Sequence, residues 1–246
     1  MALREEFERN GAWLFRRRSF LPLLLLAVFV PALRDYRYPG ESERLQFIWV
    51  AVCLVIGLVG LTVRAWTAGY APRGTSGRNT RRQIADTLNT TGPYSVVRNP
   101  LYLGNFFLGL GPAMFPGAWW LVLIYVLVFW LYYERIIFAE EAFLREKFGE
   151  TFLEWAARTP VFVPRPRLYV RSALPFSWRS VLRREYNGLL GLVAAMFVLN
   201  LVGTAFLLGR VRLQCAWIWL LAVTVALWAL LRTLRKHTRV LDVEGR

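Results

Sequence analysis

Two short stretches hold the residues best suited to chemistry. The first is Gly92-Pro93-Tyr94-Ser95-Val96-Val97-Arg98-Asn99-Pro100-Leu101-Tyr102-Leu103-Gly104. Its glycine and two prolines hold the backbone non-helical until a helix starts near Pro100, as a first-turn proline allows. A helix starting there aims free backbone N–H groups at an anion. Arg98 adds a permanent, fork-shaped cation beside them. Gly104, one turn in, permits close approach of a ligand or of a neighbouring helix. A ligand bearing a carboxylate or phosphate suits this turn. The second stretch runs from Glu134 through Glu140-Glu141, Leu144, Phe148-Gly149 and Phe152 to Pro164. Acidic residues at the mouth of an apolar segment are costly and need a partner or a task. Glu134 and Glu141 lie two turns apart and share a helical face. Glu140 and Glu141 either meet a ligand there, or cap a solvated helix and pair with Arg135, Arg145 or Arg158.

Composition narrows the chemistry. Of 246 residues, 56% are hydrophobic, gathered in long blocks that read as bilayer-spanning helices. The net charge of +15 falls between those blocks, as topology signals and headgroup anchors. No nucleic-acid motif accompanies it, so no nucleic-acid partner is expected. The single histidine, His237, lies in the basic tail. A serine triad, a histidine-rich zinc site and a histidine-ligated haem are therefore excluded as readings. Cys53 and Cys215 lack metal-ligand spacing, and no metal site is expected. The first apolar run follows Arg16, Arg17 and Arg18 without a small-residue cleavage site, so no cleavable signal peptide is read.

The elements that must position the two stretches form an all-α, polytopic membrane bundle of about six spanning or partly spanning helices. This is one membrane domain, 1–246, with a cofactor pocket on its cytoplasmic side. The apolar blocks are 20–33, 45–66, 101–115, 118–138, 188–208 and 215–231. Block 101–115, at about 22 Å, is too short to cross alone, and Pro116-Gly117 marks a tight reversal after it. Residues 187–231 make a closing helix pair. After Ala139, Leu144, Phe148, Phe152 and Trp155 follow helical spacing, as in an amphipathic interfacial helix bent or broken at Gly149. With the N-terminus inside, 24 of the 31 Lys and Arg residues fall on the cytoplasmic side. Both termini are therefore expected there, together with the two polar segments that flank the 101–138 hairpin. Residues 91–164 form the functional core: motif turn, hairpin and Glu-Glu helix.

Taken together, the two stretches resemble the isoprenylcysteine carboxyl methyltransferase and phospholipid methyltransferase family. That family joins a Gly-Pro-Tyr…Arg-His/Asn-Pro-X-Tyr-X-Gly stretch to a later Glu-Glu-X-X-Leu-X-X-X-Phe-Gly stretch across a helical hairpin. The resemblance spans about 91–164. It implies an integral membrane enzyme, located in the bacterial inner membrane, that methylates a membrane lipid with S-adenosylmethionine as cofactor. The matching positions for cofactor contact are Tyr94, Arg98, Asn99, Pro100, Leu101, Tyr102, Leu103, Gly104, Glu140 and Glu141. Arg98, Glu141 and Tyr102 are the residues expected to carry the chemistry. Arg98 would hold the cofactor carboxylate. Glu141 or Glu140 would take the ribose hydroxyls or the amino group. Tyr102 and Tyr94 would face the sulfonium or serve as ordinary interfacial tyrosines. Many members have His where this chain has Asn99, which cannot titrate near neutrality, so Asn99 is given no proton-transfer role.

Arg73-Gly74-Thr75-Ser76-Gly77-Arg78-Asn79, followed by Asp86-Thr87-Leu88-Asn89-Thr90-Thr91, is similar to the bacterial branch that includes lipid A phosphate methyltransferases. On that likeness Arg73, Thr75, Ser76, Arg78 and Asn79 form a substrate-phosphate grip, the arginines paired with hydroxyls and backbone nests. A positive-inside loop touching anionic headgroups is the alternative. The expected reaction is O-methylation of an anionic headgroup. The rivals are N-methylation of an aminophospholipid, an NADPH-dependent membrane reductase of the sterol-reductase kind, and a non-catalytic membrane scaffold.

Overall fold

In the computed structural model, residues 6–7, 10–11, 13–14, 26–72 and 85–245 are described. Among them the regular structure is helical and contains no strand. The helices are α1 (Leu26–Arg34), α2 (Glu43–Tyr70), α3 (Pro93–Val96), α4 (Pro100–Met114), α5 (Trp119–Phe148), α6 (Glu150–Arg158), α7 (Trp178–Leu208) and α8 (Cys215–His237), with single 3-10 turns at Pro39–Glu41 and Pro166–Leu168.

Among the described residues, four helices (α2, α5, α7 and α8) are long and apolar enough to cross a membrane. Helix α4 has 15 residues, matching its expected half-length. Local chemistry sets the ends. Ser42 caps α2 and Ser177 caps α7, each hydroxyl accepting an amide from the first turn, the usual way to satisfy orphan N-terminal donors. Pro93 and Pro100 open α3 and α4, so the stretch before Pro100, expected to be non-helical, holds one helical turn, because Pro93 suits a first turn as Pro100 does. At Gly149 the backbone takes φ +52, a region that disfavours side-chain-bearing residues, and this separates α5 from α6.

Four helices run past the expected block ends, α2 by four residues to Tyr70. Helix α5 continues ten residues beyond Phe138 to Phe148, because Ala139, Leu144 and Phe148 extend its apolar stripe. Residues after Ala139 therefore do not form one interfacial helix; only α6 stands apart. Its face buries Phe152 and Trp155. Helix α7 starts at Trp178 rather than 188, and α8 runs on to His237.

The most intimate packing is between α2 and α4. A side chain at Gly60 would collide with the Leu108 amide at 2.3 Å and the Gly104 carbonyl at 2.5 Å. Small residues at such a crossing let backbones approach closely, the usual device where lipid supplies no hydrophobic drive. Far from the motif turn, Tyr36 stacks on Phe115 at 5.5 Å, within a core that includes Leu192, Met196 and Trp217. There Arg212 also meets Glu43 at 3.3 Å. At the other end lie the motif turn, the Glu-Glu pair and described residues of both terminal segments. Arg135 sits over the Phe7 ring, and Asp242 pairs with Arg183 at the start of α7.

Candidate functional site

The motif turn is built before any ligand is considered. Gly92 takes φ +60 and its amide donates to the Val170 carbonyl at 2.8 Å. The Ser95 hydroxyl donates to the Gly92 carbonyl at 2.7 Å and accepts the Val170 amide at 2.8 Å. The Arg98 amide donates to the Pro160 carbonyl at 2.8 Å. The Asn99 amide nitrogen donates to the Val161 carbonyl at 3.1 Å. The segment after α6 thus straps the turn in place.

Arg98 and Glu141, 43 residues apart, meet: Nη1 donates to Oε2 at 2.9 Å. Tyr102 donates its hydroxyl to Glu140 Oε1 at 2.6 Å. Both contacts are charge-assisted and short, the stronger kind of hydrogen bond. The Tyr102 ring lies 4.7 Å from that of Tyr133, with Ile136 and Ile137 completing a buried cluster. The pair is nevertheless incomplete. Arg98 Nε and Glu141 Oε1 are buried, and neither has a hydrogen-bond partner among the described residues. A buried donor and a buried acceptor left open on neighbouring residues call for an explanation, and an absent ligand is one of the few available.

The expected site residues divide into two groups. Arg98, Asn99, Tyr102, Glu140 and Glu141 come together as described. Pro100, Leu103 and Gly104 are buried in helix packing, with Gly104 pressed by Arg64 Cγ and the Gly60 carbonyl; the close approach it permits is to a helix. Leu101 is half-buried beside them. The Tyr94 carbonyl accepts the Trp155 indole N–H at 3.1 Å, locking α6 beneath the turn. The amides of Tyr102 and Leu103 both return to the Asn99 carbonyl. Glu134 is exposed. Arg73, Thr75, Ser76, Arg78 and Asn79 lie outside the described residues.

Sequence reasoning missed a second polar network one turn deeper. Arg64 Nε and Nη2 grip Glu185 at 2.7 and 3.0 Å, and Nη1 donates to Asn105 Oδ1. Asn105 in turn donates to the Tyr133 hydroxyl at 3.1 Å. The available signal was Arg64 itself, a charge inside an apolar block, since such residues are usually partnered. Phe162 was also missed. It inserts among Phe106, Phe129 and Trp130, with centroids 5.6 to 6.3 Å away, and closes the hairpin side of the site.

Residues 47–151 match the phospholipid methyltransferase family. The cobalt-zinc-cadmium resistance protein CzcN of Cupriavidus metallidurans is 37% identical over 126 residues, 49% of this chain and 54% of that protein. The protein-S-isoprenylcysteine O-methyltransferase of Schizosaccharomyces pombe is 33% identical over 84 residues, 34% of this chain and 36% of its own length. Its Saccharomyces cerevisiae counterpart is 26% identical over 157 residues, 63% and 64% of the two chains. The chain spans about half the length of CzcN. No solved structure matches the chain significantly. The matched stretch, residues 47–151, runs from α2 past the Arg98 turn and the Glu-Glu pair to the start of α6, and over it the chain is similar to the phospholipid methyltransferase family.

Proposed function

We propose that this protein transfers a methyl group from S-adenosylmethionine to an oxyanion of a membrane lipid, at the mouth of the α4–α5 hairpin. One observation carries the reading: Arg98 Nε and Glu141 Oε1 are an open donor and an open acceptor, both buried, on residues already held to each other at 2.9 Å. The amino-acid end of the cofactor offers the complement, a carboxylate for the guanidinium and an ammonium for the carboxylate. The residues present therefore fit the group. Glu140, fixed by the Tyr102 hydroxyl, would take a ribose hydroxyl. The family match, and the O-methyltransferase names of relatives in two yeasts, point the same way.

When bound, the sulfonium supplies an electrophilic methyl, and the electron pair of the broken C–S bond stays on sulfur as the new O–C bond forms. The protein's share is alignment and exclusion of water. Arg98 is oriented by Glu141, and the strap bonds hold its backbone. The Tyr102 and Tyr133 rings present faces that tolerate a cation. Phe162 shields the hairpin side. A phosphate or carboxylate acceptor is ionised at neutral pH and needs no general base, and the sequence fits that, its one histidine standing in the C-terminal tail outside both motif stretches. The lipid wall favours an acceptor that stays in the bilayer. A lipid A phosphate is the specific candidate, gripped by Arg73, Thr75, Ser76, Arg78 and Asn79.

Purified protein incubated with labelled S-adenosylmethionine and a panel of membrane lipids tests this. The expected result is one methyl on an anionic headgroup oxygen. Label on an amine nitrogen would overturn the O-methylation reading, and label on no lipid, with binding intact, would overturn lipid methylation altogether.

A further inference from the structure

The segment between α6 and α7 has two unlike sides. Its inner side makes five hydrogen bonds to residues 92–99: Arg98 to Pro160, Asn99 to Val161, Arg165 to Val96, Gly92 to Val170, and Val170 to Ser95. Its outer side is exposed and mixes two chemistries. Val163, Tyr169 and Val170 stand 74%, 45% and 53% exposed, interleaved with exposed Arg165, Arg167 and Arg171. From Arg158 to Arg184 the chain carries seven arginines and no Asp or Glu. None of Arg165, Arg167 and Arg171 forms an ion pair with a described residue.

The strap also meets the apolar end of α2, which we take as the level where a bilayer ends. Phe162 enters the aromatic cluster of α4 and α5 beside Trp130, which is half exposed on the outer wall. Tyr169 stacks on Trp66 near the end of α2 at 6.2 Å, and the Ser177 amide returns to the Gly69 carbonyl at 3.0 Å. Arginines alternating with apolar and aromatic side chains at that level match an interfacial surface: the stems and rings enter the headgroup layer and the guanidiniums meet phosphate.

We propose that the outer side of residues 163–171 binds anionic phospholipid headgroups, and that this contact holds the strap on the Arg98 turn, so that the protein binds its cofactor more tightly in a negatively charged membrane. The coupling half rests on the cofactor reading of Arg98 and Glu141; the headgroup half does not. The physical link is the five inner bonds. A strap pinned from outside loses less freedom when the turn closes on a ligand. An acidic protein partner is the rival occupant, but the exposed apolar residues beside the arginines favour lipid.

The full-length protein in nanodiscs of phosphatidylcholine, with and without phosphatidylglycerol, gives two readouts. Hydrogen exchange tests the contact alone. Strap amides, and those of Gly92 and Arg98, should exchange more slowly in the anionic discs, and equal exchange would overturn the proposal whatever the cofactor does. Calorimetry tests the coupling. S-adenosylmethionine should bind about 5-fold tighter in anionic discs, on the scale of one or two basic residues at a charged surface. High salt should erase the gain. So should the triple variant Arg165→Gln/Arg167→Gln/Arg171→Gln, which should match the parent in neutral discs. A gain that survives the triple variant would overturn the assignment to this strap. Strap protection and a tightening by polyglutamate in neutral discs, absent in anionic discs, would make the occupant a protein. Absence of cofactor binding in every disc would instead refute the cofactor reading, leaving the exchange result to decide the headgroup contact.

Discussion

Two Arg–Glu pairs stand at the same end of this bundle, and they are finished differently. Arg64 uses Nε and Nη2 on both oxygens of Glu185 and Nη1 on Asn105, and Glu185 is 7% exposed. Arg98 uses only Nη1 on one oxygen of Glu141, leaving Nε and the other oxygen without partners among the described residues. Arg64 also packs against Gly104, inside the helix that Arg98 introduces. The difference teaches how to separate a structural ion pair from a binding one in a membrane. A buried charge with all its hydrogen-bonding valences met has nothing left to offer. A buried pair with one donor and one acceptor open keeps a cost that a ligand with the complementary groups can remove.

The largest effect should follow from breaking the finished pair on one side. Arg64→Met leaves Glu185 charged and unpaired among helices, and thermal unfolding in detergent should report a loss of about 3–5 kcal/mol. Replacing both partners, in Arg64→Met/Glu185→Leu, should recover most of that, because apolar pairs often replace buried ion pairs at little cost. A double variant as unstable as the single one would mean that Asn105 and Tyr133 depend on Arg64 more than the pair itself does.

A smaller effect sharpens the other pair. Tyr102→Phe keeps the ring against Tyr133 but removes the hydroxyl bonded to Glu140. A hydrogen bond to a charged group is worth about 1.5–3 kcal/mol of stability, so thermal unfolding should report a loss of about that size, and S-adenosylmethionine should bind several-fold more weakly by calorimetry because Glu140 is no longer held in place. The smallest effect belongs to Asn99, whose side chain ties the turn to the Val161 carbonyl. Asn99→Ala should cost about 1 kcal/mol of stability and weaken cofactor binding only a few-fold. Asn99→His, which retains a ring N–H donor, should recover part of both.

How much of this was legible beforehand depended on how local each signal is. Pro100 as a helix opener and Gly149 as a break follow from backbone chemistry at single residues, and both stand. The meeting of Arg98 with Glu141 was readable only because the two stretches carry a family pattern; spacing alone left Glu140 and Glu141 equally able to cap a helix. The Arg64–Glu185 pair joins residues 121 apart, with no motif on either side, so nothing local announces it. The reach of α5 to Phe148 was hidden because charged residues there look like the end of a span, whereas Ala139, Leu144 and Phe148 carry an apolar edge of the helix on past Phe138. Gly104 allowed either a ligand or a helix at its face. The helix is there because Gly60 on α2 faces it, a pairing visible only in three dimensions.

The most direct test of the account sets the two pairs side by side in one calorimetric titration with S-adenosylmethionine. Arg98→Ala should abolish measurable binding, while Arg64→Met/Glu185→Leu should bind within about 3-fold of the parent protein, less than 1 kcal/mol apart. Retained binding in Arg98→Ala, with loss in the Arg64–Glu185 double variant, would contradict it.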